Sequence, residues 1–468
     1  MFFDIDKKPK ERIAAKMDDG MSVTYGELVD FCKDIKNIIP ERSLVFILCH
    51  NHIGALGVYV GSLVNQIVPV LLNVDLDQEL LMHLLQTYKP NYIWAPSNYR
   101  NKEFFEKSIS NCYGYSLYPY SKEAVELYPD LALLLTTSGS TGSPKLVRQS
   151  YKNIVSNAES IVQYLELDQS ERPITMLPMN YTYGLSVINS HLVAGATILM
   201  TDSSYAQKNF WTFFKEEKAT SIVGVPYTYE ILKKLRFFNM ELPSLRYMTQ
   251  AGGKLLPELH KEYAEYAQKK NLRFYVMYGQ TEATARMSYL PYQLSLEKYG
   301  SMGIAIPGGA FRLIDTDGDD IVKSEEVGEL VYEGPNVTLG YAEIQKDLAK
   351  GDERHGILIT GDMAKRDSDG YYYIVGRKKR FLKIYGNRVN LDECERLIQS
   401  EFPQVECACV GKDDNLKICI TGDCTEDKIT AFISNKTKLN PKAFTIIRVA
   451  EIPKNDAGKK IYSQLMNE

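Results

Sequence analysis

The chain has 468 residues, 44% of them hydrophobic and 24% charged, a composition typical of a globular protein with a large core and two or three structural units. Its 55 basic and 59 acidic residues leave a net charge of −4, so the overall balance does not favour nucleic acid as a partner. The eight cysteines are scattered and the six histidines form no zinc-type ligand set, which argues against a disulfide framework and a transition-metal site and indicates reduced thiols in the cytoplasm.

The N-terminal part alternates helical and strand patterns. A helical period begins after Thr24, an apolar strand is predicted over 43–49, and a longer apolar stretch runs from Ile53 to Leu72. Polar residues and Pro69 interrupt that stretch, so we expect a helix followed by a buried strand, with no stable membrane insertion. The first residues lack the apolar core and cleavage site of a signal peptide, so we expect the mature chain to start at Met1. This alternation predicts a layered α/β fold.

A loop rich in glycine and hydroxyl groups follows the apolar run Leu131 to Leu135. From Thr136 to Lys145 it reads TTSGSTGSPK, with six hydroxyl side chains and two glycines in ten residues. Glycine lets backbone N–H groups approach an anion, hydroxyls add donors and Lys145 adds a cation, so this composition predicts a phosphate cradle. It is not a P-loop, because Gly142 is followed by Ser143 and not by lysine. A flexible Ser/Gly linker is the alternative interpretation.

Beyond this loop, short apolar segments end in polar or glycine residues. We expect strands at 173–179, 196–200, 221–226, 245–252 and 271–279, with a helix around 189–195. In open α/β sheets, ligands bind beyond the carboxyl ends of the strands. Thr281 and Glu282 follow the last of these strands, where a hydroxyl and a carboxylate suit Mg²⁺ and an α-phosphate. An acidic residue at the start of a helix beginning near Ala283 would also be favoured by the helix dipole.

The pattern changes twice in the C-terminal part. Residues 303–341 show short strands with turn signals, which predicts a β-rich subdomain over about 300–376. The segment GRKKRFLK at 376–383 carries five cations, and the residues after it have their own helix and strand pattern. We predict a large domain over 1–378 and a small mobile α+β domain over 379–468 behind a hinge. The alternative to a hinge is that this run of charges forms a solvated turn or a basic patch.

Five segments occur in the order and spacing of one enzyme superfamily. The loop TTSGSTGSPK resembles the phosphate-binding motif of the adenylate-forming superfamily of acyl-CoA ligases, carrier-protein adenylation domains and beetle luciferases. The segment YGQTE resembles its Y-G-x-T-E motif, and TGD at Thr360 to Asp362 resembles its ribose motif. GRKKRFLK is similar to the family hinge, and PKNDAGK, ending at Lys459, to its terminal lysine motif. Because the five motifs keep their order across more than 300 residues, the chain is identified as a member of this superfamily.

The resemblance implies a binding site for ATP. The loop would bind the β- and γ-phosphates through Thr137, Ser138, Gly139, Ser140, Thr141, Gly142 and Lys145. Tyr278 would stack on adenine, Gly252 and Gly253 would form the wall against it, and Gly279 and Gln280 would also belong to the cofactor site. Asp362 and Arg377 would bind the ribose hydroxyls, since a carboxylate accepts two hydroxyl donors, and Lys383 would reach AMP.

The resemblance also implies the catalytic residues. When a carboxylate attacks the α-phosphorus of ATP, charge builds on the bridging and leaving oxygens, and Lys⁺ and Mg²⁺ stabilise it. Lys459, Glu282 and Thr281 would form the catalytic set, and Glu282 and Thr137 would hold Mg²⁺. Lys379 would be the hinge pivot that lets Lys459 enter and leave the site. On residue type alone, a lysine at the terminal position would more often face solvent.

The acid and the acceptor are less sharply indicated. LPMNYTYGL at 177–185 resembles the substrate-side motif, in which amino-acid-activating members have phenylalanine followed by aspartate. Tyr181 and Thr182 stand there, so an α-ammonium group would lack its ionic partner and an α-amino acid is disfavoured. Tyr181, Thr182 and Tyr227 are predicted to line an acyl pocket, with ordinary core packing as the alternative. The loop beginning at Gly386 resembles the one that faces the pantetheine thiol.

These features predict an AMP-forming acid–thiol ligase. ATP and Mg²⁺ would activate a small carboxylic acid to an acyl-adenylate with release of pyrophosphate, and the thiol of CoA would then take the acyl group. The phosphopantetheine arm of a carrier protein is the alternative acceptor. A luciferase-like oxidative enzyme would instead consume oxygen, and a non-catalytic nucleotide-binding regulator would bind ATP without releasing pyrophosphate.

Overall fold

The structure is a computed structural model that describes residues 1–100, 105–136, 145–385, 387–422, 424–454 and 460–466. It leaves out the side chains of Lys379, Lys383, Asn387 and Arg388. Contacts divide the chain into two compact units. The first comprises Met1–Ala310 and Tyr332–Leu358, and the second comprises Phe311–Val331 and Ile359–Glu468. The predicted boundary at 378/379 and the hinge stay predictions.

Strands and helices are numbered here in chain order over the described residues. The strands are β1 (Ile13–Met17), β2 (Ser22–Thr24), β3 (Leu44–Cys49), β4 (Val68–Asn73), β5 (Tyr92–Pro96), β6 (Ser110–Cys112), β7 (Tyr115–Pro119), β8 (Leu131–Thr136), β9 (Leu146–Ser150), β10 (Ile198–Met200), β11 (Ser221–Gly224), β12 (Tyr247–Gln250), β13 (Arg273–Tyr278), β14 (Ser288–Tyr289), β15 (Ile304–Ala305), β16 (Ala310–Ile314), β17 (Val327–Glu333), β18 (Gly340–Ala342), β19 (Ile357–Arg366), β20 (Tyr372–Arg377), β21 (Phe381–Ile384), β22 (Asn387–Asn390), β23 (Cys407–Lys412), β24 (Asn415–Ile420) and β25 (Phe444–Arg448). The helices are α1 (Tyr25–Ile38), α2 (Ile53–Val64), α3 (Gln78–Tyr88), α4 (Tyr151–Leu165), α5 (Thr182–Ala194), α6 (Lys208–Glu216), α7 (Pro226–Lys234), α8 (Pro257–Lys270), α9 (Leu391–Glu401), α10 (Glu426–Thr437) and α11 (Tyr462–Leu465).

An eight-stranded sheet forms the core of the first unit, in the order β18-β9-β8-β4-β3-β5-β7-β6. Its central strands β8, β4, β3 and β5 are parallel, and they are apolar and buried along most of their length, as a sheet covered on both faces requires. Strand β9 pairs antiparallel with β8, and β18 pairs antiparallel with β9. This pairing brings residues 340–342 beside residues 146–148, although nearly 200 positions separate them in the chain.

A five-stranded sheet, β11-β12-β13-β14-β15, supplies the second layer of the first unit. Strands β11, β12 and β13 are parallel and in register, with Gly224 opposite Gln250 and Gln250 opposite Val276. Their carboxyl ends therefore meet at one edge, which is where ligands bind in open α/β sheets. The segments after β11 and β12 carry Tyr227 and Gly252 to that edge, and Tyr278 is the last residue of β13.

The second unit contains three smaller sheets. Strands β16, β17, β19 and β20 form one sheet, β21 and β22 form a hairpin, and β23, β24 and β25 form the third. Helices α9 and α10 pack on the third sheet around a core that includes Ile398, Ile418 and Ile429, all fully buried. The predicted α/β fold class is confirmed.

Most predicted elements of the first unit are present. The apolar stretch after residue 52 forms helix α2 and then strand β4, and no helix of the described residues is long and apolar enough to cross a membrane. The strand predicted at 173–179 is wrong. Only single bridges form there, at Pro173 and Ile174, because Pro173 and Pro178 lack the N–H that a ladder requires.

The helix predicted near Ala283 is also wrong. A single 3-10 turn covers Thr281–Ala283, and the chain then turns away because Thr284 and Ala285 adopt positive φ values of 52° and 92°. The helix-dipole interpretation of Glu282 therefore fails, since this carboxylate lies in an isolated turn rather than at the start of a helix.

Candidate active site

Gly252 and Tyr181 meet at the carboxyl edge of the five-stranded sheet. Gly252 has a φ of +83°, and a Cβ placed on it would lie 2.7 Å from the hydroxyl oxygen of Tyr181 and 3.0 Å from Val225. Only glycine combines this left-handed conformation with such a close approach. The structure thus brings a residue predicted to contact adenine against one predicted to line the acyl pocket. Gly253, which follows, is exposed.

The neighbouring strand end carries Tyr278, Gly279 and Gln280. The amide Nε2 of Gln280 donates to the hydroxyl of Tyr278 at 3.1 Å. A Cβ on Gly279 would lie 1.6 Å from the carbonyl oxygen of Ala285, so glycine is required for the chain to fold back over this turn. This tight turn presents Glu282 beyond the strand end.

Glu282 is held by three residues from two separate segments of the first unit. Its Oε1 accepts a hydrogen bond from the hydroxyl of Tyr341 at 2.7 Å. Its backbone carbonyl accepts bonds from the Thr338 hydroxyl at 2.9 Å and from Nη1 of Arg354 at 3.0 Å. Burial and the nearby Glu282 charge raise the pKa of Tyr341 to about 12, so its hydroxyl stays a proton donor at neutral pH.

Lys145, the last residue of the glycine-rich loop, contacts the same tyrosine. Its Nζ lies 3.5 Å from the ring centroid of Tyr341, within cation–π range, and 3.6 Å from Oε1 of Glu343. Strands β8 and β9 pair directly on either side of the loop, with Thr136 opposite Leu146. The predicted phosphate cation and the predicted Mg²⁺ ligand therefore share one contact residue.

Arg148 fixes the strand that carries Tyr341. The fully buried guanidinium donates to the carbonyls of Tyr341 at 3.0 Å and Leu339 at 3.2 Å, and pairs with Glu353 at 2.5 Å. It also donates to the carbonyls of Lys350 and Gly351. Together, these charge-assisted hydrogen bonds from Arg148 hold β18 and the following loop in place.

Two of the three predicted acyl-pocket residues, Tyr181 and Thr182, lie at the start of helix α5. Tyr181 precedes the helix, and burial raises the pKa of its hydroxyl to about 12. Thr182 lines a cavity of about 10 Å³, with Gln149, Asn157, Ser186 and Asn189, which has room for about one water molecule. Tyr227, on helix α7, is 41% exposed. The buried hydroxyl of Tyr183 bonds the Thr249 hydroxyl at 2.9 Å.

In the second unit, Asp362 and Arg377 lie opposite each other on β19 and β20. Nε of Arg377 is 3.6 Å from Oδ1 of Asp362, and Asp362 is only 5% exposed. The hydroxyl of Thr360 donates to the carbonyl of Leu330 at 2.8 Å and accepts from the Asp362 N–H at 3.1 Å. The two predicted ribose residues are thus adjacent.

Several predicted residues lie outside what the structure describes. These are Thr137, Ser138, Gly139, Ser140, Thr141 and Gly142 of the loop, Gly386 of the thiol-acceptor segment, and Lys459. For Lys379, in a 3-10 turn, and Lys383, on β21, the backbone is described but the side chains are not.

Three contact residues escaped the sequence-based prediction: Tyr341, Arg354 and Arg148. Tyr341 and Arg354 lie 59 and 72 positions after Glu282, so no local pattern links them to it. The only signal was an aromatic residue after Gly340 at the end of the β-rich segment. Among the described residues, no group of three His, Cys, Asp or Glu side chains is placed to hold a metal, so Glu282 would be a single protein carboxylate.

Comparisons with known proteins identify the family of the chain. A sequence profile of the AMP-binding enzyme family matches residues 2–342. The indoleacetate–CoA ligase of Aromatoleum aromaticum is 31% identical over 285 residues, 60% of this chain and 54% of that enzyme, so the chain spans about half the length of this relative. The 2-succinylbenzoate–CoA ligase of Bacillus cereus is 26% identical over 97% of this chain and 95% of that enzyme.

A solved structure shares the whole fold. The O-succinylbenzoate CoA synthetase of Bacillus subtilis, in complex with its acyl-adenylate intermediate, gives a TM-score of 0.82 at 22% identity, over 99% of this chain and 97% of that one. The likeness concerns the fold. Because the family profile covers most of the chain, including the loop, the Glu282 turn and Tyr341, the chain belongs to the family of AMP-binding enzymes.

Proposed function

We propose that this chain is an AMP-forming acid–CoA ligase. The observation that carries the proposal is the arrangement in the first unit, where Tyr341 binds the Glu282 carboxylate through its hydroxyl and the Lys145 ammonium through its ring. An anionic ligand for a metal and a cation for phosphate thus contact the same side chain, and phosphoryl chemistry on ATP requires both kinds of group.

The residues at the sheet edge fit ATP with Mg²⁺. Oε1 of Glu282 is taken by Tyr341, whereas Oε2 makes no hydrogen bond to the described residues. Mg²⁺ is commonly held by one or two carboxylates together with substrate phosphates, so a single carboxylate with one open oxygen suits it. Bound there, Mg²⁺ would neutralise charge on the phosphates. Lys145 and the hydroxyl-rich loop would bind the departing phosphates, and Gly252 and Tyr278 would contact adenine.

The proposed reaction has two steps. The substrate carboxylate attacks the α-phosphorus of ATP, the bond to the bridging oxygen breaks, and pyrophosphate leaves, which yields a mixed anhydride with an electrophilic carbonyl. The thiol of CoA then attacks that carbonyl, loses its proton, and AMP leaves. Lys459 would stabilise the charge that develops in the first step, and Thr281 would assist Glu282. These roles, the ribose role of Asp362 and Arg377, and the Lys379 hinge rest on the motif resemblance.

Small acids and CoA are the proposed substrates, in the cytoplasm. The relatives are named as ligases of indoleacetate and of 2-succinylbenzoate with CoA, which favours CoA over a carrier protein as acceptor. None of the eight cysteines forms a disulfide in the described structure, as expected of a reducing compartment. The aromatic surroundings of Tyr181 suit an acid with an apolar body.

A substrate screen tests the proposal. Aliphatic, aryl, hydroxy and amino acids are incubated with ATP and Mg²⁺, and hydroxylamine traps any acyl-adenylate while pyrophosphate release is followed. CoA or a phosphopantetheinylated carrier protein is then added to the best acid, and we expect a CoA thioester. ATP binding without pyrophosphate release for any acid would favour a regulator, and acid-dependent oxygen consumption would favour an oxidative enzyme.

A further inference from the structure

Among the described residues, Tyr341 contacts both charged groups of the proposed phosphate site. Its hydroxyl donates to Oε1 of Glu282 at 2.7 Å, and its ring faces Nζ of Lys145 at 3.5 Å from the centroid. The guanidinium of Arg354 lies 4.6 Å from the same centroid and also bonds the Glu282 carbonyl. One aromatic side chain thus joins a carboxylate, an ammonium group and a guanidinium.

The Tyr341 hydroxyl determines the orientation of the Glu282 carboxylate. A carboxylate on a flexible glutamate side chain samples several rotamers, and a donor bound to one oxygen selects the rotamer that points the other oxygen elsewhere. Because Oε2 of Glu282 makes no hydrogen bond to the described residues, the Tyr341 bond leaves that oxygen available to a metal.

The ring determines where the Lys145 ammonium group lies. Lysine has four rotatable side-chain bonds, and the side chain of Lys145 is 32% exposed, so burial alone does not restrain it. Among the described residues of the first unit, Lys145 contacts the Tyr341 ring and, at 3.6 Å, the Glu343 carboxylate. An exposed carboxylate at that distance is a weak restraint, since solvent screens it.

Tyr341 is itself held rigidly enough to position other groups. Tyr341 pairs with Val147 in the β18–β9 ladder, and its backbone carbonyl accepts a hydrogen bond from the buried Arg148 at 3.0 Å. The adjacent carbonyl, of Ala342, accepts from the hydroxyl of buried Tyr88 at 2.8 Å. Side chains that are to hold reacting groups need such support from the surrounding structure.

We propose that Tyr341 is a positioning residue that sets the metal-binding carboxylate Glu282 through its hydroxyl and the phosphate-binding cation Lys145 through its ring. The inference rests on the proposed function, because it assumes that Glu282 meets Mg²⁺ and Lys145 meets phosphate. One side chain makes two contributions; the hydroxyl can be removed alone, and the ring can be removed together with the hydroxyl.

Two variants of Tyr341 distinguish these contributions. Tyr341→Phe removes only the hydroxyl, so we expect the Mg²⁺ concentration needed for half-maximal ATP binding to rise on the order of tenfold, with ATP binding in EDTA unchanged. Tyr341→Leu also removes the ring, so ATP binding in EDTA should weaken as well, several-fold. Both are measured by titration calorimetry, with ATP–pyrophosphate exchange as a second readout.

Tyr88→Phe is the matched control, because it deletes a buried hydroxyl that bonds the neighbouring carbonyl on β18 but touches neither charged group. It should lower the melting temperature about as much as Tyr341→Phe and leave the Mg²⁺ dependence unchanged. An unchanged or lower Mg²⁺ requirement in Tyr341→Phe, or the same shift in Tyr88→Phe, would overturn the inference. If the unmodified protein shows no exchange with any acid, the proposed function fails instead.

Discussion

Oε2 of Glu395 lies 2.7 Å from Nζ of Lys460 in the second unit. The same nitrogen donates to the carbonyl of Cys407 at 2.6 Å, and the other carboxylate oxygen pairs with Arg380 at 2.5 Å. Burial alone would lower the pKa of the Lys460 ammonium, but the Glu395 charge outweighs it and the pKa is raised. A buried ion pair therefore anchors the residue that directly follows Lys459 in the chain.

Replacing Lys460 with methionine should impair adenylation selectively. Methionine keeps the apolar stem but loses the charge, and Glu395 retains Arg380 and the Tyr462 hydroxyl as partners. Because misplacing a catalytic group by about 1 Å costs on the order of 100-fold, we expect ATP–pyrophosphate exchange to fall tenfold or more. Thioester formation from added acyl-adenylate should be unchanged.

The control for this prediction is Lys454→Met. The side chain of Lys454 pairs with Glu406 at 2.5 Å, and its backbone forms an antiparallel β-bridge with Lys460. Its side chain is more exposed than that of Lys460. It should have little effect on exchange. Equal losses in both half-reactions of Lys460→Met, accompanied by a lower melting temperature, would mean that the pair serves only the stability of the second unit.

Gly279→Ala should disrupt the turn that presents Glu282. The added Cβ would lie 1.6 Å from a backbone carbonyl, that of Ala285, which no side-chain rotation can relieve. We expect the free energy of unfolding in urea to fall by about 2–4 kcal/mol, with adenylation lowered at least tenfold. Gly351→Ala, whose Cβ meets only Tyr128 at 3.6 Å, should be close to neutral. A stable, fully active Gly279→Ala enzyme would contradict the close approach of residue 279 to the Ala285 carbonyl.

How far the site could be predicted depends on how local each signal is. The strand before Tyr278 is apolar and continuous, so the position of the Glu282 turn beyond a strand end follows from a short window of sequence. The Tyr341–Glu282 bond joins residues 59 positions apart and arises only because β18 returns to pair with β9. The apolar residues at 173–179 alone predict a strand, but Pro173 and Pro178 prevent a continuous ladder from forming there.

Stability should fall between pH 7 and pH 5 because of buried His191. Its Nδ1 donates to the Val187 carbonyl at 2.7 Å and its Nε2 accepts from the Tyr247 hydroxyl at 2.8 Å, an arrangement that suits the neutral ring. Burial, assisted by the Arg286 charge, lowers its pKa from 6.5 to about 4. The unfolded chain therefore takes up the proton first as the pH falls.

The sign of this effect follows from the depressed pKa. The stabilisation is complete above pH 6.5 and is lost progressively toward pH 4, amounting to about 2 kcal/mol between pH 7 and pH 5. Urea unfolding at the two pH values measures it, and His191→Gln, which cannot titrate, should show a correspondingly smaller difference. The same pH difference in the wild-type chain and in His191→Gln would contradict this assignment.

The central claim is that this chain forms acyl-adenylates with Lys459 as the catalytic cation. ATP–pyrophosphate exchange with the best acid of the screen, compared between the wild-type chain and Lys459→Ala, tests it most directly. We expect exchange to fall by at least 100-fold in the variant, with the melting temperature unchanged, because the charge that develops on the phosphates loses its stabilising cation. An unchanged exchange rate in Lys459→Ala would contradict the claim.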